Sequence, residues 1–318
     1  MELYLQTLAF TGNIVAPIFL IMFIGYLLVR VGVFNENFVN VGSRFVFTVT
    51  LPTLVFLSIA RMDYHATFNP AMLLFVFITT LISFGLIWWL GKRWIDSPED
   101  LASFIQGAFR SNYGILGLAI SFNLFGQAGL AEGSLILALV IPMYNVLAII
   151  CLTVPLQKSG GLDVMKTAYQ IIRNPLIIAV IIALPFSYFG LELPHIAERT
   201  ARYFADITLP LALLTIGGSL NMKSLKSTSG SAFWATLTKL VLLPLVLVPL
   251  AWLFGFSGQD MVMLMVLFGC PSAAAGFVMA KAMGANAQLA ANIILTTTLG
   301  SVVTLSTGIF IVRFIGII

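Results

Sequence analysis

The sequence predicts an all-α integral membrane protein of ten transmembrane helices, arranged as two five-helix halves of opposite orientation. Three observations predict it. Hydrophobic residues make up 60% of the chain and charged residues only 9%, with a mean hydropathy of +1.05; a soluble domain is about 25% charged. Apolar runs long enough to span a bilayer recur with short polar breaks. Several residues repeat at an offset of 158 positions.

Taken in order, the spans fall near residues 12–31, 38–60, 70–90, 101–125 and 131–154 in the first half. They fall near 171–190, 196–220, 231–254, 260–283 and 287–312 in the second. The first run lacks the basic flank and small-residue cleavage site of a signal peptide, so it reads as a retained helix. The polar stretch 156–170 is the longest connection and divides a first repeat, 1–155, from a second, 171–318.

Charge sets the orientation. With the N-terminus outside, the inner ends carry Arg30, Lys92, Arg93, Lys158, Lys166, Arg173, Lys223, Lys226 and Lys281. The outer ends carry Arg61, Arg199 and Arg313. That bias places both termini outside the cytoplasm and the midpoint connection within it. Arg44 and Arg202 lie just inside spans two and seven and stand apart from this comparison.

The repeat pairs Pro17 with Pro175, Gly32 with Gly190, Arg44 with Arg202 and Gly126 with Gly284. It also pairs Thr50-Leu51-Pro52 with Thr208-Leu209-Pro210. Spans three and eight show no such likeness. An odd number of spans per half forces opposite orientations, which is the inverted-repeat plan of many secondary transporters.

Spans four and nine hold the candidate site. Span four carries Arg110-Ser111-Asn112-Tyr113-Gly114 at its centre, and span nine carries Gly269-Cys270-Pro271-Ser272-Ala273. Pro271 removes a backbone donor, and Gly114 and Gly269 permit unusual backbone angles. Broken helix inside a membrane is tolerated only against protein or a wet cavity. Two antiparallel broken helices present half-helix N-termini near Ile115 and Ala273, where free N–H groups favour anions. Ser111, Asn112 and Ser272 either cap these ends or bind the ligand. A pair of packing kinks is the plainer alternative.

Other polar residues within spans have open roles. Arg110 lies too deep for easy snorkelling; it attracts an anion or pairs with Asp206 of span seven. Asp206 is a proton acceptor, a cation ligand or that structural partner. Lys239 is expected to snorkel. Asn145, in Pro142-Met143-Tyr144-Asn145, either bonds between helices or faces a ligand. Gly217-Gly218-Ser219 reads as helix packing. The two cysteines and two histidines are too few and too scattered for a metal site. No histidine lies within a span, which argues against an intramembrane enzyme. Nothing suggests nucleic acid binding or a cofactor.

The sequence resembles the auxin efflux carrier family, in particular bacterial malonate or malate permease-like members. The likeness rests on Ile14-Val15-Ala16-Pro17 with Gly25-Tyr26, Leu51-Pro52, Arg110-Ser111-Asn112-Tyr113-Gly114 with Gly117-Leu118, and Tyr144-Asn145-Val146-Leu147. It continues through Asn174-Pro175-Leu176, Asp206, Leu209-Pro210-Leu211-Ala212 and Cys270-Pro271. The resemblance implies a fold like those of sodium–proton antiporters and bile-acid symporters, with broken helices four and nine crossing. It implies elevator movement against a scaffold of spans one, two, six and seven. It implies small organic anions as substrates, a bacterial inner membrane location and a homodimer.

Carried over by resemblance, Asn112, Tyr144, Asn145 and Pro271 occupy crossover and pocket positions. The candidate substrate-binding set is Pro52, Arg110, Ser111, Asn112, Tyr113, Gly114, Tyr144, Asn145, Cys270, Pro271 and Ser272, with Asp206 as a coupling residue. Ala119 stands where the family often has proline, so the break in span four is expected to be milder or to rest on Asn112-Tyr113-Gly114. A sodium-coupled carrier and a non-transporting receptor are the alternatives.

Overall fold

A computed structural model of the protein describes residues 2–63, 68–156, 169, 173, 175–220 and 230–317. The predicted connection over 156–170 lies almost wholly outside these, as do His65, Lys158, Lys166, Lys223 and Lys226.

The described residues are helical, with one isolated antiparallel bridge. The first part of the chain forms α1 (Glu2–Arg30), α2 (Glu36–Phe45), α3 (Leu51–Ala60), α4 (Pro70–Trp94), α5 (Pro98–Phe109) and α6 (Leu118–Thr153). The second forms α7 (Pro175–Phe189), α8 (His195–Asp206), α9 (Thr208–Ser219), α10 (Gly230–Leu237), α11 (Leu243–Leu253), α12 (Gly258–Gly269), α13 (Ala275–Met283) and α14 (Ala287–Phe314). Among the described residues, six continuous helical stretches are long and apolar enough to cross a membrane, and α7 and α12 are shorter apolar helices.

Proline explains two local irregularities. A π-turn at Val46–Thr50 joins α2 to α3, and another at Thr238–Leu242 joins α10 to α11. Pro52 and Pro244 each stand second in the α-helix that follows. Each lacks the N–H for the preceding turn, and the widened turn absorbs the mismatch.

Glycine explains the sharp ends. α6 bends at Gly126 (φ 60°, ψ −137°), and Gly284 ends α13 at φ 79°. Gly32 and Gly190, after α1 and α7, have φ of 80° and 62°. An L-residue rarely adopts such angles. These four are the two glycine pairs that the sequence repeats at an offset of 158.

Packing sorts the helices into two groups. α1 lies along α9, α2 also packs on α9, and α3 packs on α7 and α8. The other group contains α4, α5, α6 and α10 to α14, with α5 and α10 both against α14 and α11 against α12. α1 against α14 and α3 against α6 join the groups. The α1–α9 contact needs small residues, as the Gly217-Gly218-Ser219 reading expects. A Cβ on Gly25 would sit 2.2 Å from the Leu214 carbonyl oxygen, and one on Gly217 would sit 1.8 Å from that of Met22. Backbone approach of this kind replaces hydrophobic drive where the surroundings are as apolar as the helices. Large apolar side chains face outward on several helices, among them Leu20, Phe23, Leu74, Ile181, Leu245 and Val303.

Candidate functional site

The chain breaks between α5 and α6 and between α12 and α13, and the two breaks meet. α5 and α12 are each twelve residues long. Arg110 after α5 and Cys270 after α12 turn extended, with ψ of 119° and 145°. For Cys270 the cause is the following proline, which disfavours the helical region. Residues 110–112 and 270–273 then pair as a short antiparallel ribbon. Asn112 N donates to Pro271 O at 2.8 Å and Ala273 N to Arg110 O at 3.2 Å, around the Ser111–Ser272 bridge.

This pairing is why span four breaks fully without proline. Its freed backbone groups find partners on the opposite break, so the expectation of a milder break is corrected. Gly114 and Gly269 do not have left-handed angles either. Their role is room: a Cβ on Gly114 would lie 3.3 Å from Leu137 Cδ1, and one on Gly269 would lie 3.2 Å from Leu305 Cδ2.

The last carbonyls of α12 are also satisfied from outside the helix. Ser111 Oγ donates to Leu267 O at 2.8 Å, and Lys239 Nζ donates to Phe268 O at 3.0 Å. Lys239 is 1% exposed, so it does not snorkel. Its ammonium sits at a helix C-terminus, where orphan carbonyls and the macrodipole favour a cation. Ser111 is therefore committed to a carbonyl, and Asn112 makes no side-chain cap bond. Ser272 N instead donates to Thr297 Oγ1 at 3.1 Å.

Arg110 is buried, and its guanidinium donates to Asn145 Oδ1 and Met279 Sδ, both at 2.9 Å. It does not pair with Asp206, which lies exposed at the end of α8. Tyr144 packs edge-on against Phe109 at 5.7 Å. Tyr113 is fully buried, its ring against Gly117 and its hydroxyl beside Gly133. Pro52 and Cys270 are buried.

A cavity of about 620 Å³ lies against these breaks, within the usual range for small-molecule sites. Its floor includes Ile115 on one break and Ala274 and Ala275 on the other. These belong to the first turns after each break: Ile115 N donates back to Asn112 O at 3.4 Å, and the other N–H groups of a first helical turn lack an intrahelical acceptor. One wall is a face of α2 and the π-turn after it, with Glu36, Asn40, Ser43, Arg44 and Phe47 at helical spacing. α9, which packs on α2, adds Thr215 and Ser219 to the lining. Both ion pairs among the described residues involve Glu198, with Arg61 and with Arg202. Arg44 takes part in neither and is exposed to the cavity.

None of the side chains predicted to bind substrate lines this cavity; they build the wall behind it. Met279 marks the boundary, since it lines the cavity and accepts from Arg110. The predicted N-terminal positions, Ile115 and Ala273, are on the floor or one residue from it.

Comparison with known proteins now adds to the geometry. The family model described as membrane transport protein matches residues 12–309. The chain belongs to this family. Membrane transport proteins similar to it over nearly their whole length include an uncharacterized transporter of Methanothermobacter thermautotrophicus, 24% identical over 92% of this chain and 95% of the relative. The uncharacterized transporter YfdV of Escherichia coli K12 is 22% identical over 96% of this chain and 98% of its own. A Rhizobium meliloti protein named "Putative malonate transporter" is 24% identical over 95% of each chain. Membership agrees with the auxin efflux carrier resemblance and makes this a multi-pass membrane transporter.

Sequence reasoning passed over the α2 wall. Two signals for it were present: Arg44 belongs to a repeat-matched pair, and Glu36, Asn40, Ser43, Arg44 and Phe47 recur on one helical face.

Proposed function

We propose that the protein is a secondary transporter of small carboxylates and that the cavity between α2, α9 and the two breaks is its binding site. The observation that carries this is the convergence of three anion-favouring elements on one cavity. Two are the first turns after the breaks, at Ile115 and at Ala274–Ala275; the third is Arg44. Helix N-termini and a guanidinium suit a carboxylate, and a second carboxylate finds Ser43 nearby, since the Thr215 and Ser219 hydroxyls donate to Ala212 O and Ile216 O. The name of the Rhizobium meliloti relative supports a dicarboxylate such as malonate.

The same reading takes the chain as ten crossings in an inverted repeat. In support, the paired left-handed glycines recur at one offset, and each half contains a twelve-residue helix ending in a break. With both termini outside, the lining residues Val29, Glu36 and Leu220 would stand at the cytoplasmic end of their spans. Movement of the break-bearing group against the α1, α2, α3, α7, α8 and α9 group would then carry the site across. The separate packing of the two groups supports an elevator. The bacterial inner membrane is the expected location.

The test is counterflow in proteoliposomes preloaded with unlabelled malonate or malate, measured with the labelled compound outside. Time-dependent accumulation is expected. Folded, reconstituted protein that moves none of a broad panel of mono- and dicarboxylates would overturn the proposal.

A further inference from the structure

A second polar cluster lies away from the cavity, where α4 and α12 start beside the part of α6 that follows its Gly126 bend. Glu132 on α6 is 5% exposed. Its Oε2 accepts from Gln259 Nε2 at 2.6 Å, while its Oε1 is buried with no hydrogen-bond donor. Asp260, in the first turn of α12, stands beside it. Asp260 Oδ2 accepts from Asn69 Nδ2 at 2.7 Å; Asn69 is the residue that caps α4. Each carboxyl therefore has one oxygen held by an amide, and the second oxygen of Glu132 is buried without a donor. Tyr113 provides an independent pointer. It is 0% exposed, and its hydroxyl has no hydrogen-bond partner and lies beside Gly133, the residue after Glu132.

We propose that Glu132 and Asp260 form a binding site for one proton shared between them. Two adjacent carboxylates, one of them buried, repel, and a single proton converts the repulsion into a hydrogen bond. The amides of Gln259 and Asn69 hold the outer oxygens, so the unsatisfied Glu132 Oε1 is the place for that proton. The titratable groups facing Glu132 are Asp260 and Tyr113, and neither is a cation that would neutralise it. The charge balance is simple: loaded, the pair carries one negative charge; on releasing the proton to water, it carries two. Asp260 is half-buried, which gives the proton a path to the surface.

The site is joined to the breaks by rigid elements. α12 leads from Asp260 directly to Cys270 and Pro271, about 15 Å of helix. α6 carries both Glu132 and Asn145, the acceptor for Arg110. Loss of the proton would push the start of α12 away from α6 and so bear on the ribbon between the breaks. This consequence rests on the transport reading; proton binding itself does not.

The test is infrared difference spectroscopy of the purified protein during pH steps from about pH 5 to about pH 9. The wild type is expected to show one protonated-carboxyl band that is lost as the pH rises. Glu132→Gln should abolish it. Asp260→Asn removes the neighbouring charge, so Glu132 should ionise more readily and the band should vanish at lower pH than in the wild type. Thermal melts of each variant check folding. A wild type with no such band, or a band unchanged in both variants, would overturn the proposal. So would a cluster stabilised by sodium rather than by acid at constant ionic strength. Counterflow assayed separately leaves this result independent of the transport reading.

Discussion

Replacing Arg44 tests the cavity at the one cationic side chain among its described lining residues. Arg44 lies on the α2 face that lines the cavity and forms no ion pair. Arg44→Gln keeps a long polar side chain and removes the charge. A hydrogen bond to a charged group contributes about 1.5–3 kcal/mol. The Arg44 side chain is exposed to the cavity rather than sealed in protein, so the lower end applies: about 1.5 kcal/mol, or roughly tenfold in Kd. Arg44→Lys keeps the charge but loses the two-pronged geometry that matches a carboxylate, so a loss of about threefold is expected. Because Arg44 takes part in no ion pair, stability should change by less than about 0.5 kcal/mol. Calorimetric titration of malonate or malate into purified protein reads the affinity, and a thermal melt reads the stability. Equal affinity for wild type and Arg44→Gln, with both folded, would refute the placement of the anion beside α2.

The remaining predictions concern the helix joint, the proton site and the transport cycle. Gly217→Ala would bring a Cβ to 1.8 Å from the Met22 carbonyl oxygen and force α1 and α9 apart, with an expected loss of about 1–3 kcal/mol. Gly85→Ala is the control: no atom lies within 4 Å of the added carbon, so the change should be neutral or stabilising by up to about 1 kcal/mol. Chemical denaturation or thermal melts in detergent compare the two, and equal stability would contradict the close approach. The infrared titration of Glu132→Gln and Asp260→Asn and the counterflow assay test the proton site and transport separately.

Much of the fold was legible because membrane helices obey two strict demands. Apolar length marks the spans, and any backbone left unpaired inside must find a partner. The breaks at Arg110–Gly114 and Gly269–Ala273 followed from those demands, and the left-handed angles of Gly32, Gly126, Gly190 and Gly284 give the sequence repeat a physical basis.

Partners across the molecule were not legible. Lys239 resembles a snorkelling lysine by its place in the span, yet its ammonium reaches Phe268 O on another helix. Arg110 had an acidic candidate in Asp206, yet Asn145 and Met279 take its donors. The break residues looked like ligands because they are polar and central. Arg110 donates to Asn145 and Met279 and Ser111 to Leu267 O, while the cavity is lined by the α2 and α9 faces and the next turn of each broken helix. Glu132 escaped notice because it stands at the edge of its span; only folding shows that Asp260 meets it there.

A structure of the protein with a saturating dicarboxylate is the most direct measurement of the central claim. The account predicts the anion in the cavity, one carboxylate at the first turns that begin near Ile115 and Ala275, and the Arg44 guanidinium within hydrogen-bond distance of the ligand. An anion bound elsewhere, with this cavity left to water and Arg44 turned away, would contradict it.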